Sequence, residues 1–274
     1  MGFTCEDLTY IRNLVRERSA IVLDEEKEYL ISSRLEPLAK EFGFDSLPGL
    51  VGRLRRTSYD MLHRKVVEAM TTNETSFFRD WSPFLALKDH ILPDLITRRA
   101  STRSLSIWCG ASSSGQEPYS IMLIIQEHFP QLQDWQIRFL ATDISGAMVK
   151  RSQEGIYSQL EVNRGLPEGL LTKYFSKKGT HWQIAEDMRK KIEFREMNLA
   201  GPWPLFPAMD MVVLRNVMIY FDGETKKHIL KKIRNILNPQ GYLLLGGTET
   251  TLNLDEQYER VAVNGTSCYR IRKG

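Results

Sequence analysis

One short stretch limits what this chain can fold into more than any other. In "IWCGASSSGQEPYS", residues 107 to 120, Gly110 and Gly115 stand five apart after an apolar run. That layout predicts a strand, a tight turn and a helix start, the repeating unit of wound parallel sheets. It also matches the first half of a phosphate-binding loop, which would continue with Lys and then Ser or Thr to hold phosphate and Mg²⁺. Gln116 and Glu117 stand there instead. A carboxylate in place of the cation calls for a different ligand.

The rest of the chain keeps the same rhythm. "EPYSIMLIIQEHF" predicts a helix with Pro118 in its first turn, where proline is tolerated. "WQIRFLATDIS" predicts the second strand and "GAMVKRSQEGIY" the second helix. "KIEFREMN", "MDMVVLRNV", "GYLLLGG" and "SCYRIRK" predict further strands. In "ETKKHILKKIRNIL", Ile229, Leu230, Ile233, Ile236 and Leu237 face inward while Lys226, Lys227, Lys231, Lys232 and Arg234 face out. Alternating strands and helices predict an α/β fold, a mostly parallel sheet covered on both faces. Residues from about 158 to 190 break the rhythm. With "HWQIAE" as an isolated strand, they read as an inserted β-rich subdomain.

Residues 1 to about 70 predict helices only. Leu8, Ile11, Leu14 and Val15 recur at helical spacing, and Tyr29, Leu30, Leu35 and Leu38 suggest a second helix that Pro37 complicates. Residues 47–54 and 61–70 predict two more, with breakers at Gly43, Pro48 and Thr57-Ser58. The basic points Arg53, Arg55, Arg56, Arg64 and Lys65 are either a solvated helix face or a docking surface for an acidic partner. The expected organisation is a helical domain over 1–70, a linker with a lid helix over 71–100, and the α/β domain over 101–274.

Charge is nearly balanced, 37 Lys+Arg against 34 Asp+Glu over 274 residues, so composition gives no sign of nucleic-acid binding. Cys5, Cys109 and Cys268 have no metal-ligand or disulfide spacing, and no metal is expected. The start of the chain lacks a signal-peptide profile, and after Met1-Gly2 an acidic Glu6 stands where myristoylation needs Ser or Thr. No apolar run approaches the length of a membrane span. A soluble, cytoplasmic protein is expected.

Three polar clusters fall at predicted strand ends, where wound sheets bind ligands. The first is the loop from Gly110 to Glu117. The second is Asp143, which either accepts from ribose hydroxyls or caps the next helix. The third is Arg215, Asn216 and Tyr220 in "LRNVMIYFD". Ribose recognition without a phosphate lysine suggests an adenosine ligand whose other end is cationic. Glu117 either holds its ammonium or simply suits a helix N-terminus. S-adenosylmethionine meets these conditions. A fourth motif, "MTTNETSFFRDWSPF", sets Asn73, Thr75 and Arg79 beside Phe77, Phe78 and Trp81, as in a lid over a ligand. Its Thr71-x-x-Glu74 also has the form of a capping box.

"TTNETSFFRD", "GASSSGQEPYS", "ATDIS" and "RNVMIYFD", in this order and spacing, resemble the CheR chemoreceptor glutamate methyltransferases. The resemblance covers nearly the whole chain. It implies a Rossmann-like methyltransferase domain with an inserted antiparallel β-subdomain, preceded by an all-α domain. It also implies methyl transfer from S-adenosylmethionine to glutamates on the cytoplasmic signalling helices of methyl-accepting chemoreceptors, leaving S-adenosylhomocysteine.

Position by position, the resemblance makes Asn73, Thr75 and Arg79 a lid over the cofactor. It makes Glu117 the contact to the methionine portion, Asp143 the ribose ligand, and Asn198-Leu199 the flank of the adenine. Arg215, Asn216 and Tyr220 would line the methyl-transfer end, with Arg79 and Tyr220 orienting the acceptor. Gln116 replaces a second Glu, and the second helix has Arg34 and Lys40 without a dense arginine cluster. The short stretch 174–188 lacks the glycine-rich insertion of members that bind a receptor C-terminal pentapeptide, which implies independence of that tether. A monomer is expected, with room for a regulatory partner on the helical domain. A methyltransferase for nucleic acid or a small molecule, and a non-catalytic reader of cofactor and partner, are the alternatives. A dinucleotide oxidoreductase is remote, because no GxGxxG occurs.

Overall fold

The computed structural model describes residues 3–24, 26, 28–263 and 265–272. Met1-Gly2 and Lys273, touched on above, lie outside them. The chain forms two compact units, Met1–Thr72 with Tyr220–Thr225, and Asn73–Ile219 with Lys226–Gly274.

The first unit is a bundle of α1 (Cys5–Ser19), α2 (Glu28–Glu41), α3 (Leu47–Arg55) and α4 (Met61–Ala69). Thr4, Ser46 and Asp60 cap α1, α3 and α4 through side-chain oxygens that accept from the first turn. The apolar stripes meet in one core of Leu8, Ile11, Ile31, Leu35, Leu50, Leu54 and Val66. That burial carries α2 straight through Pro37, which the sequence alone made a point of doubt. Four of the basic points face carboxylates of the bundle itself. Arg53 pairs with Asp60, Arg55 with Asp7, and Arg64 and Lys65 with Glu68. Arg34 donates to the carbonyls of Met70 and Thr71, closing the end of α4.

The second unit begins with an arm, residues 73–81, that carries no helix. The alternative reading of Thr71-x-x-Glu74 as a capping box falls away, since no helix starts there and the Thr71 hydroxyl donates back to the carbonyl of Glu68. Helical structure starts only at α5 (Ser82–Ala86), passes through a π turn at Leu87–Ile91 and continues as α6 (Leu92–Arg99). Then follow β1 (Ser104–Gly110), α7 (Gln116–His128), β2 (Gln136–Asp143) and α8 (Gly146–Glu154). The inserted subdomain comprises β3 (Ile156–Ser158), α9 (Gln159–Asn163), α10 (Glu168–Tyr174), β4 (Phe175–Lys178), β5 (His181–Ile184) and α11 (Glu186–Lys190). The chain returns through β6 (Glu193–Glu196), β7 (Met209–Leu214), α12 (Gly223–Ile236), β8 (Leu237–Leu245), β9 (Tyr258–Val263) and β10 (Thr266–Ile271).

Seven strands form one sheet in the order β6-β2-β1-β7-β8-β10-β9. The first five lie parallel, and β10 runs antiparallel to both its neighbours. Every residue of β7 is buried, as expected of a strand covered on both faces. The order reverses between β1 and β7, so the turns after these strands open onto the crevice where such sheets bind ligands. The stretch expected as an isolated strand, "HWQIAE", is instead the centre of a three-stranded antiparallel sheet, with β5 paired to β3 and β4.

Candidate functional site

The floor of the site is the turn from β1 into α7. Ala111, Ser113 and Gly115 all have positive φ, at 53°, 50° and 91°. The backbone therefore curls tightly, and a Cβ on Gly115 would lie 2.9 Å from the Ser152 hydroxyl. Buried groups hold the turn from behind. The Ser152 hydroxyl donates to the carbonyl of Ser113 at 2.9 Å, and the Tyr157 hydroxyl to that of Ser114 at 2.8 Å. Gln116 accepts from the Ser114 hydroxyl at 2.8 Å. A turn anchored at so many points is set before any ligand arrives, which lowers the ordering cost of binding.

Asp143 ends β2 beside this turn and is 5 % exposed. Its carboxylate accepts from the backbone N–H of Ser113 at 2.8 Å and of Ser145 at 2.9 Å. The cap of α8 is Ser145, so Asp143 is not that cap; it ties the first two turns together. Beyond β6, the Asn198 side chain accepts from the N–H of Ala200 at 2.9 Å, and Leu199 packs towards Gly110.

Glu117 opens α7, where a carboxylate suits the helix dipole. It does not stand as a lone anion. Arg215, at the end of β7, pairs with one oxygen, and the Cys109 thiol donates to the other at 3.4 Å. The same guanidinium donates to Asp80 at 2.9 Å and to the carbonyl of Arg79 at 3.0 Å. Two carboxylates on one guanidinium leave the cluster with a net charge of −1 (−2 + 1). Burial and the neighbouring carboxylate of Glu117 push the Cys109 thiol up, so it stays protonated and serves as a donor.

The arm reaches the floor through Asn73, whose carbonyl accepts from the Ser113 hydroxyl at 2.8 Å, and through Phe78, whose N–H donates to Ser120 at 3.0 Å. Arg79 is half-buried and donates to the carbonyl of Glu74 at 2.9 Å, and Thr75 is half-buried between them in sequence. The structure thus brings Asn73, Glu117, Asp143 and Arg215 together at one turn, and ties Arg79 to them through its backbone carbonyl, with its guanidinium turned to Glu74. Tyr220 belongs to the first unit, where its carbonyl accepts from the N–H of Val22 at 2.9 Å.

Sequence reasoning missed Glu249. Its buried carboxylate accepts from four backbone N–H groups, those of Asn216, Val217, Met218 and Gly246, at 2.6 to 2.9 Å. It holds Asn216 at a φ of 58° and fixes the turn after β7. A single Glu in "GGTETT" carries no periodic or motif signal that would have found it.

The arrangement fits S-adenosylmethionine: net negative charge for an ammonium and a sulfonium, and a carboxylate, Asp143, at a strand end beside the glycine turn. Residues 6–71 match the family described as CheR methyltransferase, all-alpha domain, and residues 73–266 match CheR methyltransferase, SAM binding domain. The chain is 41% identical to chemotaxis protein methyltransferase 1 of Pseudomonas aeruginosa, over 97% of this chain and 98% of that protein. It is 37% identical to the chemotaxis protein methyltransferase of Vibrio parahaemolyticus, over 99% of both. A chain matched along almost its whole length, with polar clusters at the strand ends of a wound sheet, leads to one conclusion: this is a member of the CheR family, an S-adenosylmethionine-dependent methyltransferase of chemotaxis.

Proposed function

We propose that the methyl acceptors are glutamate side chains on the cytoplasmic signalling helices of chemoreceptors, which become glutamyl methyl esters. The observation that carries this reading is the arginine-bearing arm held over a negatively charged floor. An anionic floor suits a cationic donor, and a guanidinium beside it suits an anionic acceptor.

S-adenosylmethionine supplies a methyl group on a sulfonium, whose bond to sulfur breaks as the acceptor oxygen bonds the methyl carbon. The electron pair of that bond goes to sulfur, so sulfonium and carboxylate lose their charges together. A glutamate has a reference pKa of about 4.3, so the acceptor is ionised at neutral pH and needs no general base. The protein's task is to align the two groups and exclude water, which can contribute roughly 7–11 kcal/mol. Glu117 would hold the amino-acid end of the cofactor, Asp143 its ribose, and Asn198-Leu199 its adenine. Asn73 and Thr75 cover it. Arg79 and Tyr220 orient the acceptor carboxylate. Arg79 retains guanidinium donors beyond the bond to Glu74, enough for a two-point grip.

The acceptors proposed lie on the cytoplasmic side of receptors, so the protein acts in the cytoplasm; no helix among the described residues is long and apolar enough to cross a membrane. The sheet of β3, β4 and β5 is short, which supports methylation without a receptor C-terminal pentapeptide. The test is to incubate the protein with methyl-labelled S-adenosylmethionine and receptor-containing membranes, intact or truncated at the receptor tail. Base-labile label on receptor protein, equal for both membranes, is expected. Label on nucleic acid, or none on receptors, would overturn the acceptor.

A further inference from the structure

Arg215 is buried, yet it connects two parts of the site that approach from different directions. Below it lies Glu117, at the start of α7. Above it lies the arm, through the carboxylate of Asp80 and the carbonyl of Arg79. Its guanidinium also sits 5.6 Å from the centre of the Phe84 ring, which keeps the plane in place. The arm needs such a hold. Phe78, Asp80 and Trp81 all have positive φ, at 49°, 65° and 34°, a conformation that residues with a Cβ disfavour. Asp80 is mostly exposed at its side chain, so its turn has little packing of its own.

We infer that Arg215 is a positioning residue that clamps the arm, and so Arg79, to Glu117. The catalytic consequence rests on the methyl transfer proposed above; the clamp itself does not. A guanidinium suits the place because its donors diverge in a rigid plane and reach three acceptors at once. Its charge serves a second end. Without it, the exposed carboxylate of Asp80 and the buried one of Glu117 would lose the cation they share, and their like charges would push the arm away.

Two variants of the full-length protein test this. Arg215→Lys keeps the charge and loses the fork, and Asp80→Ala changes an exposed side chain and cuts the same link from the other end. The first measurement is amide hydrogen exchange of residues 73–81, without ligand or receptor. Exchange there is expected to rise at least about tenfold in Arg215→Lys and severalfold in Asp80→Ala, with β1 and β7 as protected as before. The double variant should exchange no faster than Arg215→Lys, because both changes break one link. Single-turnover methyl transfer to receptors should fall in step with arm protection. Wild-type protection of 73–81 in both single variants would overturn the clamp. A loosened arm with an undiminished transfer rate would overturn the positioning role. If Arg215→Lys does not fold, Asp80→Ala alone decides. Exchange needs no acceptor, so a wrong acceptor would leave that result standing.

Discussion

Gly165 approaches the carbonyl of Phe77 so closely that a Cβ built on it would fall inside the van der Waals envelope of that oxygen. The inserted subdomain thus meets the arm backbone to backbone. Around this point the Phe77 ring packs edge-on against Tyr157 and Phe175, at 5.0 and 5.6 Å between centroids. The subdomain therefore supports the arm at Phe77, and through Tyr157 it also touches the glycine turn.

Gly165→Ala is accordingly expected to be costly. It adds a methyl group where no room exists, and it places Ala at a φ of 93°. Overpacking and left-handed strain together should destabilise by about 2–4 kcal/mol. Chemical denaturation measures that directly. An unchanged midpoint would mean that the arm yields freely at Phe77.

Glu249→Gln is expected to weaken both stability and S-adenosylhomocysteine binding. The amide keeps one acceptor oxygen but turns an NH₂ group towards two of the four backbone donors. Leaving such groups unsatisfied costs about 1–3 kcal/mol. Cofactor affinity should fall because Asn216 loses its anchor, as read by calorimetry. A folded variant of normal affinity would show that the turn after β7 holds itself.

These devices show where the sequence stops being readable. The alternation of strands and helices, the turn over residues 110–115 and the amphipathic α12 are local patterns, and they were legible. So were the strand-end residues Glu117, Asp143 and Arg215. The partner of Glu117 was not legible, because Arg215 lies 98 positions away and nothing local signals the pairing. The strand at His181–Ile184 looked isolated because β3 and β4 are three and four residues long, too short for alternation to register. The expected linker and lid helix over 71–100 is helical only from Ser82, because positive φ at Phe78, Asp80 and Trp81 excludes a helix in the arm, and no local pattern signals such φ values.

The thiols should separate by reactivity. Cys5 is exposed, whereas Cys109 and Cys268 are buried. Burial pushes the Cys268 thiol up to about 12, and burial with Glu117 raises that of Cys109 as well. Only thiolates react. A disulfide reagent at pH 8 should label one thiol in the native protein and three after unfolding. Fast native labelling of Cys109 would mean that the floor opens.

Acid should weaken the helical unit through Asp60. The His63 side chain, then the His63 backbone N–H and Arg53, hold this carboxyl well below the usual carboxylate range. A carboxyl lowered in the folded state adds stability above its unfolded pKa, about 3.9, and loses it as pH falls further. Asp60→Asn should therefore melt lower at pH 7 and lose less on going to pH 2. Parallel melting curves for the two proteins across that range would contradict this.

Tyr220→Phe is expected to slow methyl transfer while leaving cofactor affinity nearly unchanged. The substitution removes one hydroxyl and keeps the backbone bond from Val22 to the carbonyl of residue 220. The residues just before it, 216 to 218, are held by Glu249 through their N–H groups, so the turn keeps its place. Any effect then belongs to the hydroxyl. A group that orients the acceptor acts through geometry and matters most when the oxygen, methyl carbon and sulfur come into line. Such a loss lowers the rate of the chemical step more than it raises the dissociation constant of the cofactor. The single-turnover rate should fall at least about tenfold, or about 1.4 kcal/mol. Arg79→Ala should show a similar loss of rate with some loss of affinity, if its arm also covers the cofactor as proposed. A Tyr220→Phe protein with the wild-type rate would remove that hydroxyl from the reaction and leave Arg79 as the residue that orients the carboxylate.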